Sequence, residues 1–270
     1  MSTPTDTQAV IDTALRSAQP HQLDTGRVYA FVTPTGVEQV DLTGERYRDT
    51  PARKTGTTTV RDVASFLAYY DKHCDDGSEV YADAEKLTVT AVLDAHQAAS
   101  ARFGQHRLVL ALRKTPAWTT WVRYSGQLLA QEEFAEHIED RLADIVTPAA
   151  ATMLEVAQSI SATTSAAFGS SVRLHSGERR LTYTEETTAR AGGKGELTIP
   201  ERFTLGIVPF EGAEGYKLEA RFRYRISRDG KLTLGYKLDR PEDVLAAAFA
   251  DIRTLVDSGV AEPVLNGTPA

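Results

Sequence analysis

The chain has 270 residues, 41% of them hydrophobic and 25% charged, with a formal net charge of -7. That length and balance suit one large domain or two modest ones; they exclude a small stapled module, a chain disordered throughout, and a protein basic overall that would coat a polyanion. The single cysteine, Cys74, excludes an internal disulfide.

Val10, Ile11, Ala14 and Leu15 recur at helical spacing before Pro20 and predict a short amphipathic helix. Two strands, over Arg27 to Val32 and Val37 to Leu42, flank the turn-forming Pro34-Thr35-Gly36 and read as a hairpin. A polar, basic loop from Gly44 to Gly56 leads to a helix predicted over Thr59 to Cys74. Thr59 and Asp62 resemble a capping box there, and Val63, Phe66, Leu67 and Tyr70 form the inner stripe. Strands over Glu79 to Ala82, Leu87 to Leu93 and Arg107 to Leu112 suggest an antiparallel meander. Pro116 opens a segment carrying Trp118 and Trp121. The spacing then predicts two helices, Gln131 to Ile145 and Pro148 to Ser161, whose apolar stripes make an αα-hairpin.

Beyond Phe168-Gly169 the composition turns to strands, which places an internal boundary near Ser165. Strands are predicted at Ser171 to Leu174, Arg180 to Thr187, Leu197 to Ile199 and Phe203 to Val208. Thr188 to Gly195 reads as a hairpin tip. From Tyr216 to Leu238 the alternation is nearly complete: Leu218, Ala220, Phe222, Tyr224 and Ile226 fall on one face, and Lys217, Glu219, Arg221, Arg223 and Arg225 on the other. The return strand carries Leu232, Leu234, Tyr236 and Leu238 at even positions, so the two apolar rows share a face only if Ile226 opposes Leu232. That register leaves Arg228, Asp229 and Gly230 as a three-residue loop. Pro241 starts a closing helix that Gly259 stops.

Candidate chemistry is sparse. Glu132, Glu133, Glu136, His137, Glu139, Asp140 and Asp144 crowd one predicted helix, yet their spacing matches no helical metal motif, and a solvated acidic face explains them. Cys74 adjoins His73, but neighbouring helical residues diverge by about 100°, which is no nucleophile-base geometry. Gly192-Gly193-Lys194-Gly195 lacks the spacing and the following helix of a phosphate loop. No catalytic residue, metal set or cofactor motif is identified. The row Arg221, Arg223, Arg225 with cross-strand Lys237 is the candidate anion site, with Arg179 and Arg180 as possible additions. Phe222, Tyr224 and Tyr236 point to the opposite face, which disfavours base stacking and leaves phosphate contact. Trp118 and Trp121 read as packing anchors.

His106-Arg107-Leu108-Val109-Leu110, then Thr115-Pro116-Ala117-Trp118-Thr119-Thr120-Trp121, then Gln131 to Asp140 and the later Met153-Leu154-Glu155-Val156-Ala157 together resemble the YfdQ-like family of phage and prophage proteins of unknown function. The resemblance runs from about Thr59 to Asp243 and is most specific from the Trp-x-x-Trp to the Phe-Ala-x-x-Ile-Glu-Asp block. It implies a phage or prophage accessory gene and brings no catalytic or binding residues with it.

The expected fold is α+β: a mixed N-terminal region with antiparallel strands and an αα-hairpin, then a C-terminal antiparallel sheet capped by a terminal helix. Its expected divisions are residues 1–57, 58–165 and 166–270. The expected function is a non-enzymatic, homo-oligomeric protein that binds nucleic acid or a nucleotide through the basic sheet face. A particle-forming or scaffold protein with an intersubunit hairpin arm is the alternative, and a metal-dependent enzyme using the acidic helix is a further one. The amino terminus has no basic start or apolar run, and no stretch nears the roughly 18 apolar residues of a bilayer span, so no membrane association and a cytoplasmic location are expected.

Overall fold

The computed structural model describes residues 6–18, 22–33, 35–168, 172–173, 179–180, 183–190, 199–227 and 231–270. Two compact units divide the chain, Met1–Thr55 and Gly56–Ala270. The first holds α1 (Asp6–Ala18), β1 (Val28–Thr33), β2 (Gly36–Asp41) and a 3-10 turn at Glu45–Tyr47. β1 and β2 form the expected hairpin, with Val32 opposite Val37 and Tyr29 opposite Val40. No described side chain of this unit is buried. Val10, Ile11, Val28, Phe31, Val32, Val37 and Val40 are all exposed, Val32 to 88%. A two-stranded ribbon with apolar residues on both faces is marginal in water on its own.

The second unit begins with β3 (Gly56–Val60), α2 (Val63–His73), β4 (Glu79–Asp83), β5 (Thr88–Val92) and β6 (His106–Ala111). It continues through α3 (Pro116–Tyr124), β7 (Leu128–Ala130), α4 (Gln131–Glu139), a 3-10 turn (Leu142–Asp144), β8 (Ile145–Thr147) and α5 (Ala150–Ser159). Then come β9 (Ser161–Phe168), β10 (Val172–Arg173), β11 (Arg179–Arg180), β12 (Tyr183–Arg190), β13 (Arg202–Ile207), β14 (Tyr216–Ile226), β15 (Leu232–Leu238), α6 (Pro241–Gly259) and β16 (Leu265–Asn266). The architecture is α+β, with one antiparallel and one mixed five-stranded sheet.

The mixed sheet runs β16-β4-β5-β6-β3. The expected meander β4 to β6 is antiparallel, while β3 joins β6 and β16 joins β4 in parallel. The β3 strand corrects the predicted helix start. Thr57-Thr58-Thr59-Val60 is a β-branched run that pairs with β6, so Thr59 lies in the strand and Asp62 alone caps α2, accepting from the Ser65 amide at 2.7 Å. Phe66 and Tyr70 of α2, Val80, Val89, Leu108 and Leu110 of the sheet, and Phe249, Ile252 and Val256 of α6 share one core.

The antiparallel sheet runs β7-β15-β14-β13-β8, so strands from both sides of residue 165 share it. Helices α3, α4 and α5 cover one face, where Trp121, Phe134, Ile138, Met153 and Val156 meet Phe203, Leu205, Phe222, Leu234 and Tyr236. The αα-hairpin exists but is shorter than predicted. α4 ends at Glu139, and Ile145, expected to be helical, instead enters β8 and pairs with Leu205. Its β-branched run Ile145-Val146-Thr147 supplies the sheet's edge, which outweighs the helical spacing of Leu142 and Ile145. Gln131 clamps the hairpin by donating to the carbonyls of Ala157, Gln158 and Ile160 at 3.1, 3.1 and 2.9 Å. Ser161 begins β9, a strand absent from the sequence reading, which pairs with β12 as a separate ribbon.

The β14 to β15 register is the predicted one, with Ile226 opposite Leu232 and Phe222 opposite Tyr236. The Ser227 amide bonds to the Lys231 carbonyl at 3.0 Å and closes the turn. The three loop residues 228–230 themselves, like the glycine-rich 192–195 segment, lie outside the described residues. The helix after the sheet is α6, with Pro241 in its first turn as expected.

Candidate anion-binding sheet face

Strand pairing decides which side chains share the face opposite α3, α4 and α5. Along β14 the alternation holds: Leu218, Ala220 and Phe222 are buried, while Lys217, Glu219, Arg221, Arg223 and Arg225 are exposed. Tyr224 departs from the reading. It belongs to the apolar row yet stands 47% exposed, while its cross-strand partner Leu234 is fully buried. On β15, Lys237 is exposed and lies opposite Arg221. The structure thus brings all four predicted cations, Arg221, Arg223, Arg225 and Lys237, onto one face.

Two residues that the sequence reading left out, Arg202 and Asp239, alter this face. Arg202 of β13 lies opposite Arg221, and its guanidinium meets Glu219 at 2.9 Å and Asp239 at 3.9 Å. Arg221 reaches the two oxygens of Asp239 at 3.4 and 3.5 Å. Arg202, Glu219, Arg221 and Asp239 therefore form a self-neutralising cluster at the start of the strand. Each exposed pair in it contributes about 0 to 1 kcal/mol, so the cluster holds its geometry loosely. Arg223 and Arg225 differ: among the described residues neither has a carboxylate within ion-pair distance. Their cross-strand partners are Gly235 and Thr233, which bring no charge. The positive end of the face is thus the hairpin end, where exposed Lys231 also lies. Arg179 and Arg180 pair with Arg173 and Val172 in a separate ribbon and add nothing to this sheet.

Gly235 shows how closely the chain folds over β15. A Cβ there would stand 2.0 Å from the Gln127 carbonyl oxygen, so only glycine lets β7 reach its place beside β15. At the other end of the face, Ser125, Arg221, Lys237, Asp239, Arg240 and Glu242 line a cleft of about 360 Å³. Arg221 there is held by Asp239, and Arg240 is ion-paired with Asp243.

The remaining candidates resolve into structure. Trp118 and Trp121 are buried packing residues, as predicted. The Trp121 indole donates to Asp144 at 2.7 Å, and its ring stands 5.0 Å edge-on to His137. His137 itself turns inward, stacked on Tyr236 and away from exposed Glu133, Glu136 and Asp140, so the acidic helix presents no shared Glu-His face. Burial, seconded by the nearby Arg141, lowers its pKa to about 4 and keeps the ring neutral. The Tyr236 hydroxyl, raised well above its ordinary pKa by burial, donates to the Trp121 carbonyl at 2.8 Å. Cys74 is exposed at the end of α2. Among the described residues no three His, Cys, Asp or Glu side chains are placed to hold a metal ion, and no helix is long and apolar enough to cross a membrane.

Fold and face define an α+β protein whose most distinctive surface is an arginine row on an antiparallel sheet. The chain belongs to the family described as uncharacterized conserved protein (DUF2303), which matches residues 2–269. No curated protein and no solved structure matches it.

Proposed function

We propose that this is a phage- or prophage-encoded accessory protein of the cytoplasm, non-enzymatic and self-associating, that binds nucleic acid or a nucleotide anion through the outer face of β14 and β15. The observation that carries the reading is the pair Arg223 and Arg225: both exposed, on one strand face, and without a carboxylate partner among the described residues. Fixed cations so placed attract phosphate even on a chain of net charge -7, because local potential and not total charge governs encounter. The likeness of residues 59–243 to YfdQ-like proteins supports the provenance. The exposed apolar residues of the N-terminal unit support self-association.

Retention of labelled DNA, RNA and cyclic nucleotides by the full chain, measured across salt, tests the reading. Changing Arg221, Arg223 and Arg225 together to alanine abolishes retention if the face is the site; unchanged retention overturns it.

A second reading, a particle-forming or scaffold protein, is favoured by the two ribbons β1-β2 and β9-β12. Among the described residues each is two-stranded with no further strand paired to either outer edge, which suits strand addition by another subunit. Light scattering and negative-stain imaging that show a closed assembly support it, and a monomer rules it out.

A further inference from the structure

We infer that the ligand of this face is the phosphate backbone of an extended nucleic-acid strand, held without reading its bases, and not a free nucleotide; the inference rests on the anion-binding reading above. Three features of the face carry it.

The first is spacing. Arg223 and Arg225 are two residues apart on a strand, so their backbones are separated by about 6.6 Å. They rise side by side from a sheet surface and do not converge on a point. A free nucleotide is captured where donors converge, in a concave pocket, a nest of amides or at a helix N-terminus. A row instead meets charges that are themselves in a row.

The second is the state of the cleft at the Asp239 end of this face. Two of its three cations, Arg221 and Arg240, are each held by a carboxylate, Asp239 and Asp243, and Asp239 and Glu242 line its wall beside the third, Lys237. A compact anion entering it would have to displace partners already in place or rest on Lys237 alone, beside two carboxylates. The uncommitted arginines Arg223 and Arg225 lie outside it, further along β14.

The third is the absence of rings among the described residues of the face. Phe222 and Tyr236 are buried on the far side, and Gly235 and Thr233 flank the arginine row. Base stacking contributes about 1 to 3 kcal/mol per base where aromatic platforms exist. Without them only the phosphates and sugars are contacted, and these carry no sequence.

The test uses the full chain and fluorescein-labelled single strands of oligo(dT), oligo(dA) and mixed sequence at several lengths, with ATP as competitor. Equal-length strands are expected to bind within about twofold of one another, with affinity rising with length. If Arg223, Arg225 and Lys237 each neutralise one phosphate, the slope of log affinity against log salt is about -2, so a fourfold rise in salt weakens binding roughly twentyfold. The double change R223Q/R225Q, at exposed positions whose fold is checked by circular dichroism, reduces that slope by about 1.4. Length-independent binding, strong preference for one base, or displacement by ATP at concentrations matching the oligonucleotide overturns the inference while leaving an anion site on the face. No binding to any of these probes, or a double variant that binds like the wild type, overturns the anion-binding reading itself.

Discussion

His137 makes the protein's stability fall as acidity rises, and the size of the effect follows from its surroundings. The ring is enclosed by Trp121 at 5.0 Å, Tyr124 at 4.8 Å and Tyr236 at 5.7 Å between centroids, and its Nε2 lies 3.3 Å from the Tyr236 hydroxyl. Burial lowers its pKa from 6.5 to about 4 in the folded chain. The unfolded chain therefore binds the proton more readily between those values, and stability declines as pH drops through that window. From about pH 7 to about pH 5 the loss attributable to this one group is roughly 2 kcal/mol, approaching 3 kcal/mol near pH 4. Urea unfolding of wild type and His137→Phe, followed by tryptophan fluorescence at several pH values, measures it. The variant starts from a different stability at pH 7, but the comparison is of slopes. Its stability should change by about 2 kcal/mol less than the wild type's between about pH 7 and about pH 5. Parallel pH profiles would refute the reasoning, since they would mean that the ring is protonated as easily inside the fold as outside.

Three further outcomes follow from the packing. Gly235→Ala is expected to destabilise by about 1 to 3 kcal/mol in urea titrations, because its methyl group would meet the Gln127 carbonyl and push β7 from β15; a neutral effect contradicts that close approach. Tyr236→Phe removes the donor to the Trp121 carbonyl inside the core and should cost about 1 to 2 kcal/mol, read as a lower urea midpoint at unchanged slope. A chain beginning at Gly56 keeps both hydrophobic cores, so its unfolding midpoint should stay close to that of the full chain, while the self-association proposed above, followed by light scattering, should be lost. An unfolded Gly56 variant would show that the first unit supports the cores.

Much of this arrangement is legible in the sequence, and what is hidden has a common cause. Long strands with one wet face announce themselves: β14 and β15 alternate over most of their length, and matching their apolar rows yields the register without coordinates. Short strands do not. β7, β8 and β16 have three, three and two residues, too few for any period, and their identity comes from the neighbour they pair with. The site divides the same way. Arg221, Arg223, Arg225 and Lys237 were readable because they sit on alternating strands. Arg202 joins them only through the β13 register, and Asp239 reaches Arg221 only because the chain turns at the end of β15, which no local pattern encodes. The neutralisation of Arg221, and with it the shift of free charge toward the hairpin end, is therefore a tertiary property. His137 shows the same limit: a helical period places it near the acidic stripe, and only the Trp121 and Tyr236 rings beside it determine that it faces inward.

The contrast between the sheet borders and the ribbons bears on how this family can change over time. The two large sheets finish mostly in strands of two or three residues, too short to recruit a neighbour, whereas β1, β2, β9 and β12 offer main-chain groups over six to eight residues. Contacts made through amides and carbonyls ignore side-chain identity. If the ribbons join subunits as proposed, their residues can drift among relatives without loss of joining, while a single proline, which deletes a donor, is the substitution that selection would remove.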